Sequence, residues 1–327
     1  MSTEAFELLF DDSRRERFAA LADVPSPMHI ADLSDPALSA EIAEIEVLIT
    51  SWGAPRFDAS LLARMPHLRA VFHAAGSVRH HISEEFWERG ILITTAAEAN
   101  AVPVAEFTLA AVVFAGKRVL PGLCTSDPGD TVWGDQLRQH SIGNLDRTVG
   151  IVGYSRIGRR VVDLLRTLTG IRVLVADPFA DAETVAAAGA TLVPLDEMLT
   201  QADVLSLHAP SLPSTFHMIS TEQLALLPDG ATVINTARGS ILDHDALLAE
   251  CRTGRLDAIL DVTDPEPLPA DSGLRHLPNV AITPHLAGSL GTETRRLTDA
   301  ALDELEAYVA GEPPRDSVRA ADLVRSA

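Results

Sequence analysis

Three charged side chains stand late in the 327-residue sequence, each beside an apolar run. They are Arg238 in Asn-Thr-Ala-Arg-Gly-Ser, Glu266 in Asp-Val-Thr-Asp-Pro-Glu-Pro and His285 in Ile-Thr-Pro-His-Leu-Ala-Gly. Taken singly they read as a surface arginine, a loop carboxylate and a satisfied histidine. Together they suit the reduction of a carbonyl. A histidine can hand a proton to the oxygen as hydride arrives at the carbon. A carboxylate beside it orients the imidazole and favours its charged form. An arginine can grip a substrate carboxylate through two parallel hydrogen bonds and polarise the neighbouring carbonyl.

A hydride carrier is suggested by Gly153-Tyr-Ser-Arg-Ile-Gly158, which follows a predicted strand and opens a predicted helix. A phosphate-binding P-loop needs lysine and then serine or threonine after its last glycine; Arg159 and Arg160 stand there instead. The dinucleotide fingerprint fits in two of its three glycines, with Ser155 at the middle position. Asp177, 24 residues after Gly153, ends the next predicted strand. A carboxylate there accepts hydrogen bonds from adenosine ribose hydroxyls and repels a 2′-phosphate, so NAD is expected over NADP. The plainer alternatives are a turn that only packs helix on strand and an aspartate that caps the following turn.

These residues need a scaffold, and the patterning supplies one. Short apolar runs alternate with amphipathic stretches, as in parallel βα units. Strands are predicted at Ala5–Phe10, Met28–Ile30, Val47–Thr50, Ala70–His73 and Ile91–Thr94, with helices such as Ala59–Arg64 and Glu84–Arg89 between them. A long apolar helix is expected over Val102–Leu120, buried between layers or domains, then a loop-rich patch, Pro121–Arg147. A second strand series follows at Thr148–Gly153, Arg172–Asp177, Val204–His208, Thr232–Thr236, Ala258–Val262 and Val280–Thr283. The last helix spans about Thr292–Ala310.

Composition bounds the function classes. Lysine plus arginine number 26 against 46 aspartate plus glutamate, a net charge of −20, which disfavours binding to a phosphate backbone. No run of about 18 apolar residues occurs, and the run Phe107–Gly116 is too short to span a bilayer. Residues Met1–Arg17 lack the basic-then-apolar order of a signal peptide. Cys124 and Cys251 form no CxxC pair and fit buried thiols in a reducing compartment. These features suggest a cytoplasmic protein with a small-molecule substrate, no membrane and no nucleic acid. His73, His80 and His81 invite a metal reading. Neighbouring histidines on a strand would face opposite ways with no carboxylate or thiolate to complete a set, so no metal is expected.

The motifs Val149-Gly-Ile-Val-Gly-Tyr-Ser-Arg-Ile-Gly158, Leu207-His-Ala-Pro210, Asn235-Thr-Ala-Arg-Gly239, Asp261-Val262 with Glu266-Pro267, and Thr283-Pro-His285 occur in one order. In this the chain resembles the D-isomer-specific 2-hydroxyacid dehydrogenase family over nearly its whole length. The resemblance implies two Rossmann-like, doubly wound parallel-sheet α/β domains around a cleft, one flavodoxin-like and one NAD-binding. Residues 1–103 and 289–327 would bind substrate, and residues 104–288 would bind NAD. Arg238 would hold the substrate, His285 would be the acid/base and Glu266 its partner. Gly153, Ser155, Arg156, Ile157 and Gly158 would meet the pyrophosphate, and Asp177 the ribose. Thr236, Ala237 and Gly288 would pass near the cofactor, with Asp261 on the nicotinamide carboxamide and His208 and Pro210 shaping its cleft. The turn Ala75-Gly76-Ser77-Val78 would cradle a carboxylate with its backbone N–H groups, and Val104-Ala-Glu106 matches a motif at the start of the interdomain helix. A homodimer is implied as well.

The chain departs from the family at Ser155, at Thr263, where many members carry an aromatic, and at Arg79-His80-His81, which lack the usual aspartate. Those changes leave the reaction class and open the substrate: glyoxylate, hydroxypyruvate or a bulkier 2-oxoacid. Trp52 either lines the acyl pocket or is a buried core residue. Arg79 either binds a second anionic group or is solvated. The alternative to an enzyme is a non-catalytic NAD-sensing or corepressor-like protein of the same fold, though a sensor has no need of the Arg238, Glu266 and His285 set.

Overall fold

In the computed structural model residues 1–119 and 142–324 are described. Leu120, Cys124 and most of the expected Pro121–Arg147 loop lie outside the described residues. The chain divides into two compact units, Met1–Asn100 with Ser289–Ala327, and Ala101–Gly288.

The first unit is built on a three-stranded parallel sheet in the order β1 (Val47–Thr50), β2 (Ala70–His73), β3 (Leu92–Thr95). Its central strand is buried at every residue. Alternate side chains of a strand point to opposite faces, and β2 serves two cores accordingly. Ala70 and Phe72 join Leu9, Phe10, Leu297, Leu302 and Leu305, while Val71 joins Leu62, Met65 and Phe86. The helix Thr294–Val309 supplies Leu297, Leu302 and Leu305.

Two of the expected strands are absent. Ala5–Phe10 belongs to the helix Thr3–Leu9, whose start is capped by the Ser2 hydroxyl accepting the Ala5 amide at 3.2 Å. Ala5 and Leu9 are four apart, so a helix buries both on one face against the C-terminal helix. Met28–Ile30 takes no regular structure. His80 and His81 sit in a turn, not on a strand, and among the described residues no group of His, Cys, Asp and Glu gathers as a metal site. The segment after Pro314 runs antiparallel to the free edge of β3. Thr95 donates to the Asp316 carbonyl at 3.2 Å and Val318 to the Ile93 carbonyl at 2.9 Å.

The second unit carries a seven-stranded parallel sheet: β4 (Arg147–Val152), β5 (Ile171–Ala176), β6 (Thr191–Leu192), β7 (Val204–Leu207), β8 (Thr232–Asn235), β9 (Asp257–Leu260) and β10 (Val280–Ile282). The spatial order is β10-β9-β8-β7-β4-β5-β6. It reverses between β4 and β7, and ligands of open α/β sheets bind where the carboxyl ends of such strands part. Only the two-residue β6 escapes the apolar pattern, being too short to show one.

The long apolar helix runs Ala97–Gly116, with Pro103 inside it. Proline belongs most readily in a first turn, which makes the sequence read as if the helix began near Val102. At 20 residues the helix is long and apolar enough to cross a membrane by length and composition. Here Ala105, Ala111 and Val112 are spent on the core of the second unit, beside Val149 and Ile151.

Candidate active site and dinucleotide crevice

The turn after β4 is made by two glycines with different reasons to be glycine. Gly153 has φ +93°, and a Cβ on it would lie 2.8 Å from the Ala209 nitrogen and 2.9 Å from the His208 carbonyl carbon. A Cβ on Gly158 would lie 2.1 Å from the Gly153 carbonyl oxygen, so only glycine lets the helix Arg156–Leu165 start this close to the strand. Ser155 has φ −98° and is exposed, a conformation any residue adopts. The missing middle glycine therefore does not disturb the turn. Arg156 is exposed and Ile157 half-buried at the helix start, where free N–H groups and the helix dipole favour an anion.

Asp177 follows β5 and stands beside this turn. Its Oδ2 accepts the Tyr154 amide at 2.7 Å and its Oδ1 the Phe179 amide at 2.8 Å. The carboxylate thus caps its own turn and also ties the glycine loop to β5, and its remaining lone pairs can accept ribose hydroxyls. On the β7 side, His208 is buried and its Nε2 meets the Ser206 hydroxyl at 2.9 Å. Burial pushes this histidine down to about 3, so its ring is neutral. The His208 amide donates to the Val152 carbonyl at 2.8 Å, fastening the two strand ends together. Pro210 continues that loop and accepts the Thr215 hydroxyl at 2.6 Å.

Arg238 follows β8. Asn235, fully buried, accepts the Ala237 amide at 3.0 Å and donates to the Arg238 carbonyl at 2.9 Å, which sets the path of the chain through Thr236 and Ala237. The Thr236 hydroxyl lies 3.1 Å from that of Thr108 on the long helix. The Arg238 guanidinium is half-buried and donates to the Ala237 carbonyl at 2.6 Å. Burial pushes it below the ordinary arginine value while the Glu266 charge acts the other way. Gly239 matters through space alone: a Cβ would lie 2.0 Å from the Thr263 carbonyl carbon and 2.5 Å from the Asp264 nitrogen. Its bareness presses the arginine loop against the loop that carries Glu266.

The Glu266 Oε1 lies 2.6 Å from His285 Nδ1. His285 has φ +52°, rare for a residue with a Cβ. Its turn is held by Asp261, whose buried Oδ1 accepts the Thr283 hydroxyl at 2.6 Å and the Leu286 amide at 2.8 Å. Its Oδ2 accepts the Ala287 amide at 3.0 Å, just before the half-buried Gly288. Arg238, Glu266 and His285, separated by up to 47 positions in sequence, all belong to the second unit. With Nδ1 occupied by the carboxylate, Nε2 is the nitrogen left to exchange a proton with a substrate.

Residues 128–287 match the description "D-isomer specific 2-hydroxyacid dehydrogenase, NAD binding domain". The chain is 32% identical over 265 residues to a glyoxylate reductase of Korarchaeum cryptofilum, covering 80% of this chain and 79% of that protein. The chain belongs to the D-isomer-specific 2-hydroxyacid dehydrogenase family. It is also 28% identical over 307 residues to a D-3-phosphoglycerate dehydrogenase of Methanocaldococcus jannaschii, and it spans 57% of that relative's length. The fold is shared with a phosphoglycerate oxidoreductase from Rhizobium etli, at TM-score 0.76 and 25% identity over 96% of this chain and 94% of that one. Both sheets of this dehydrogenase-family chain are accordingly Rossmann-like, and the residues that match the NAD-binding domain, 128–287, fall within the second unit.

The turn Ala75–Val78 follows β2 in the first unit. Ala75 and Val78 are buried, Gly76 and Ser77 half-buried. A Cβ on Gly76 would stand 3.5 Å from the Asn100 amide nitrogen, and Asn100 accepts the Ser289 amide at 3.0 Å. Asn100 and Thr108 escaped the sequence reading because their hydrogen bonds reach partners 189 and 128 positions away, and Asn235 because its bonds to Ala237 and Arg238 exist only once the turn is folded. Only the fixed Asn-Thr-Ala-Arg-Gly string hinted at one of them. Trp52, on the loop after β1, is 41% exposed, so the buried-core reading does not hold. Arg79 is not simply solvated: its guanidinium donates to the Leu323 carbonyl in the C-terminal segment. Thr263 is buried and its hydroxyl donates to the Pro265 carbonyl at 2.9 Å, bracing the Glu266 loop from within. Cys251 is a buried thiol, pushed up to about 12 by burial and inert as a nucleophile.

Proposed function

We propose that the protein is an NAD(H)-dependent oxidoreductase that interconverts a 2-oxoacid and a D-2-hydroxyacid, of the glyoxylate or hydroxypyruvate reductase type. The observation that carries this reading is the 2.6 Å Glu266–His285 pair in the same unit as a half-buried arginine after β8. A general acid, its orienting carboxylate and a carboxylate anchor are what carbonyl reduction requires.

The crevice between β4 and β7 suits a dinucleotide, because its glycines let the helix Arg156–Leu165 start close against β4 and so bring its free N–H groups to the crevice. Gly153, Ser155, Arg156, Ile157 and Gly158 would hold the pyrophosphate and Asp177 the ribose, with NAD favoured over NADP. Thr236, Ala237, Asp261, His208, Pro210 and Gly288 would line the rest. NADH, when bound, supplies the hydride that reaches the substrate C2. Arg238 binds the substrate carboxylate and draws electron density toward the carbonyl oxygen. His285 gives its Nε2 proton to that oxygen as the carbon is reduced, leaving a hydroxyl; in oxidation it takes the proton back. Glu266 holds Nδ1–H and balances the imidazolium charge. Gly76, Ser77 and Val78 offer N–H groups to the carboxylate, Ala75 opens the turn with its own N–H held by the His73 carbonyl at 2.8 Å, and Trp52 stands toward the acyl side.

In this reading residues 1–103 and 289–327 bind substrate and residues 104–288 bind NAD, in a cytoplasmic homodimer. The test is NADH oxidation followed by absorbance against a panel of 2-oxoacids, with Arg238→Ala as control. Turnover lost in the variant supports the reading. NADH binding without turnover on any acid would favour a sensor instead.

A further inference from the structure

The carboxylate that faces His285 is carried by a stretch with few means of holding itself. Asp264, Pro265, Glu266 and Pro267 are exposed, and they run between the buried residues Thr263 and Leu268. Pro265, Pro267 and Pro269 have no N–H, and among the described residues no amide from Val262 to Ala270 donates a hydrogen bond. The pair this stretch must supply is itself open to water, with the His285 and Glu266 side chains 50% and 43% exposed. An ion pair at that exposure gains little over solvent and does not fix two side chains in one geometry. The 2.6 Å contact therefore depends on what holds the loop.

A proline-rich segment keeps its carbonyls, so side-chain donors can hold it. Two do so, one on each side of Glu266. Before it, the Thr263 hydroxyl donates to the Pro265 carbonyl at 2.9 Å. The Thr263 backbone is seated in turn against Gly239, where an added Cβ would lie 2.0 Å from its carbonyl carbon. After it, Arg275 donates from Nη2 to the Leu268 carbonyl at 2.6 Å and from Nε to the Pro269 carbonyl at 3.0 Å. The Ser272 amide adds a bond to the Pro269 carbonyl at 3.1 Å. Leu268 itself is sunk in the same core as Leu247 and Leu274. The exposed stretch is thus strung between two fixed points. Freeing either one lengthens the free chain, and with it the range of positions open to the carboxylate.

We infer that Thr263 and Arg275 are positioning residues that hold Glu266 against His285 Nδ1, and that they serve proton transfer through Glu266 alone. This rests on the reading above that Glu266 orients His285 as the acid. Neither residue meets a reacting atom. Each hands a donor to a carbonyl of a loop that has no donors in use.

The test is a double-mutant cycle in the full chain. NADH oxidation is followed with glyoxylate, hydroxypyruvate, pyruvate and phenylpyruvate, and the fastest acid is kept. The variants are Glu266→Gln, Thr263→Val, Thr263→Ser, Arg275→Met, and Thr263→Val and Arg275→Met each combined with Glu266→Gln. Glu266→Gln should lower kcat about a hundredfold. Thr263→Val and Arg275→Met should each lower it about tenfold, the effect of a lost hydrogen bond of ordinary strength, and Thr263→Ser should recover most of the loss. KM for the acid and for NADH should stay within about twofold, since neither change removes a binding group. On top of Glu266→Gln, either second change should cost less than about twofold, because residues that act through one group do not add. A full further loss in the double variants overturns the inference and leaves the Glu266–His285 reading standing. So does a rise in KM that matches the fall in kcat, which would place the effect on the arginine loop, and so does wild-type kcat in both single variants. Arg275 is exposed, so its variant reports even if Thr263→Val fails to fold. Turnover of none of the acids, or wild-type kcat in Glu266→Gln, overturns the reading of the pair and the inference with it.

Discussion

Asp261 holds His285 through both its backbone and its side chain. Its carbonyl accepts the His285 amide at 3.0 Å, and its carboxylate accepts the amides of the next two residues, Leu286 and Ala287, at 2.8 and 3.0 Å. A left-handed conformation costs a residue with a Cβ on the order of 1 kcal/mol or more. The Asp261 bonds offset that cost and present the imidazole outward with its Nδ1 facing Glu266.

Replacing Asp261 with alanine would leave two backbone N–H groups and the Thr283 hydroxyl without their partner. Stability should fall by about 2–4 kcal/mol, seen as an earlier urea midpoint. The rate with a 2-oxoacid should fall at least about a hundredfold, since a displaced imidazole loses most of its value as an acid. A variant with unchanged kcat would mean that the His285 turn holds itself.

Arg238→Ala should cost about 3 kcal/mol or more in kcat/KM, more than a hundredfold, because a desolvated charged contact to the substrate is lost. Arg238→Lys should recover only part of it, having no planar fork. A loss below about tenfold in the alanine variant would remove Arg238 as the carboxylate anchor.

Gly239→Ala and Gly254→Ala separate space from backbone strain. At Gly239 the added methyl meets the Thr263 carbonyl carbon at 2.0 Å, so the Glu266 loop must move. Activity and stability should both drop, stability by about 2 kcal/mol. Gly254 has φ +75° and nothing within 4 Å of a built Cβ, so its alanine variant should lose about 1 kcal/mol with kcat unaltered. Equal kinetics in the two variants would contradict the loop contact.

Acid should weaken the fold through two buried histidines. His73 and His208 are both pushed down to about 3, chiefly by burial. Above their ordinary value near 6.5 they are neutral in folded and unfolded chains alike. As pH falls below it, the unfolded chain takes up protons that the folded one refuses, and stability declines until about pH 3. Each contributes a slope of at most about 1.4 kcal/mol per pH unit in that window. Urea midpoints at pH 7.5, 6 and 5 should descend in that order. His208→Asn should flatten the descent, and a slope identical to wild type would speak against a neutral His208.

Much of this architecture is legible because buried parallel strands are apolar runs closed by turns. In the second sheet Arg172–Asp177 and Val204–His208 fall within one residue of β5 and β7. The same rule misreads Ala5–Phe10, since a short apolar run suits a strand or a helix buried on one face equally well. Pro103 hides the first turn of the long helix for a local reason, its preference for helix starts. In the site, Arg238, Glu266 and His285 are legible by type and order. The roles of Asp261 and Asn235 are not, because each depends on which amides and carbonyls the folded turns bring within reach, for Asp261 those of Leu286 and Ala287 far along the chain.

The stretch from Arg315 to Val318 carries no candidate site residue, yet it occupies the outer edge of β3. It is fastened there by the buried Glu304 carboxylate, which accepts the Arg315 and Asp316 amides at 3.1 and 3.0 Å. An uncovered strand edge is a template for pairing with other chains. Trimming the protein at Pro314 would therefore spare every residue proposed for catalysis and still change how the molecules behave toward one another. The shortened chain would open a row of unpaired peptide groups, and its losses would be counted first in precipitate and only afterwards in turnover.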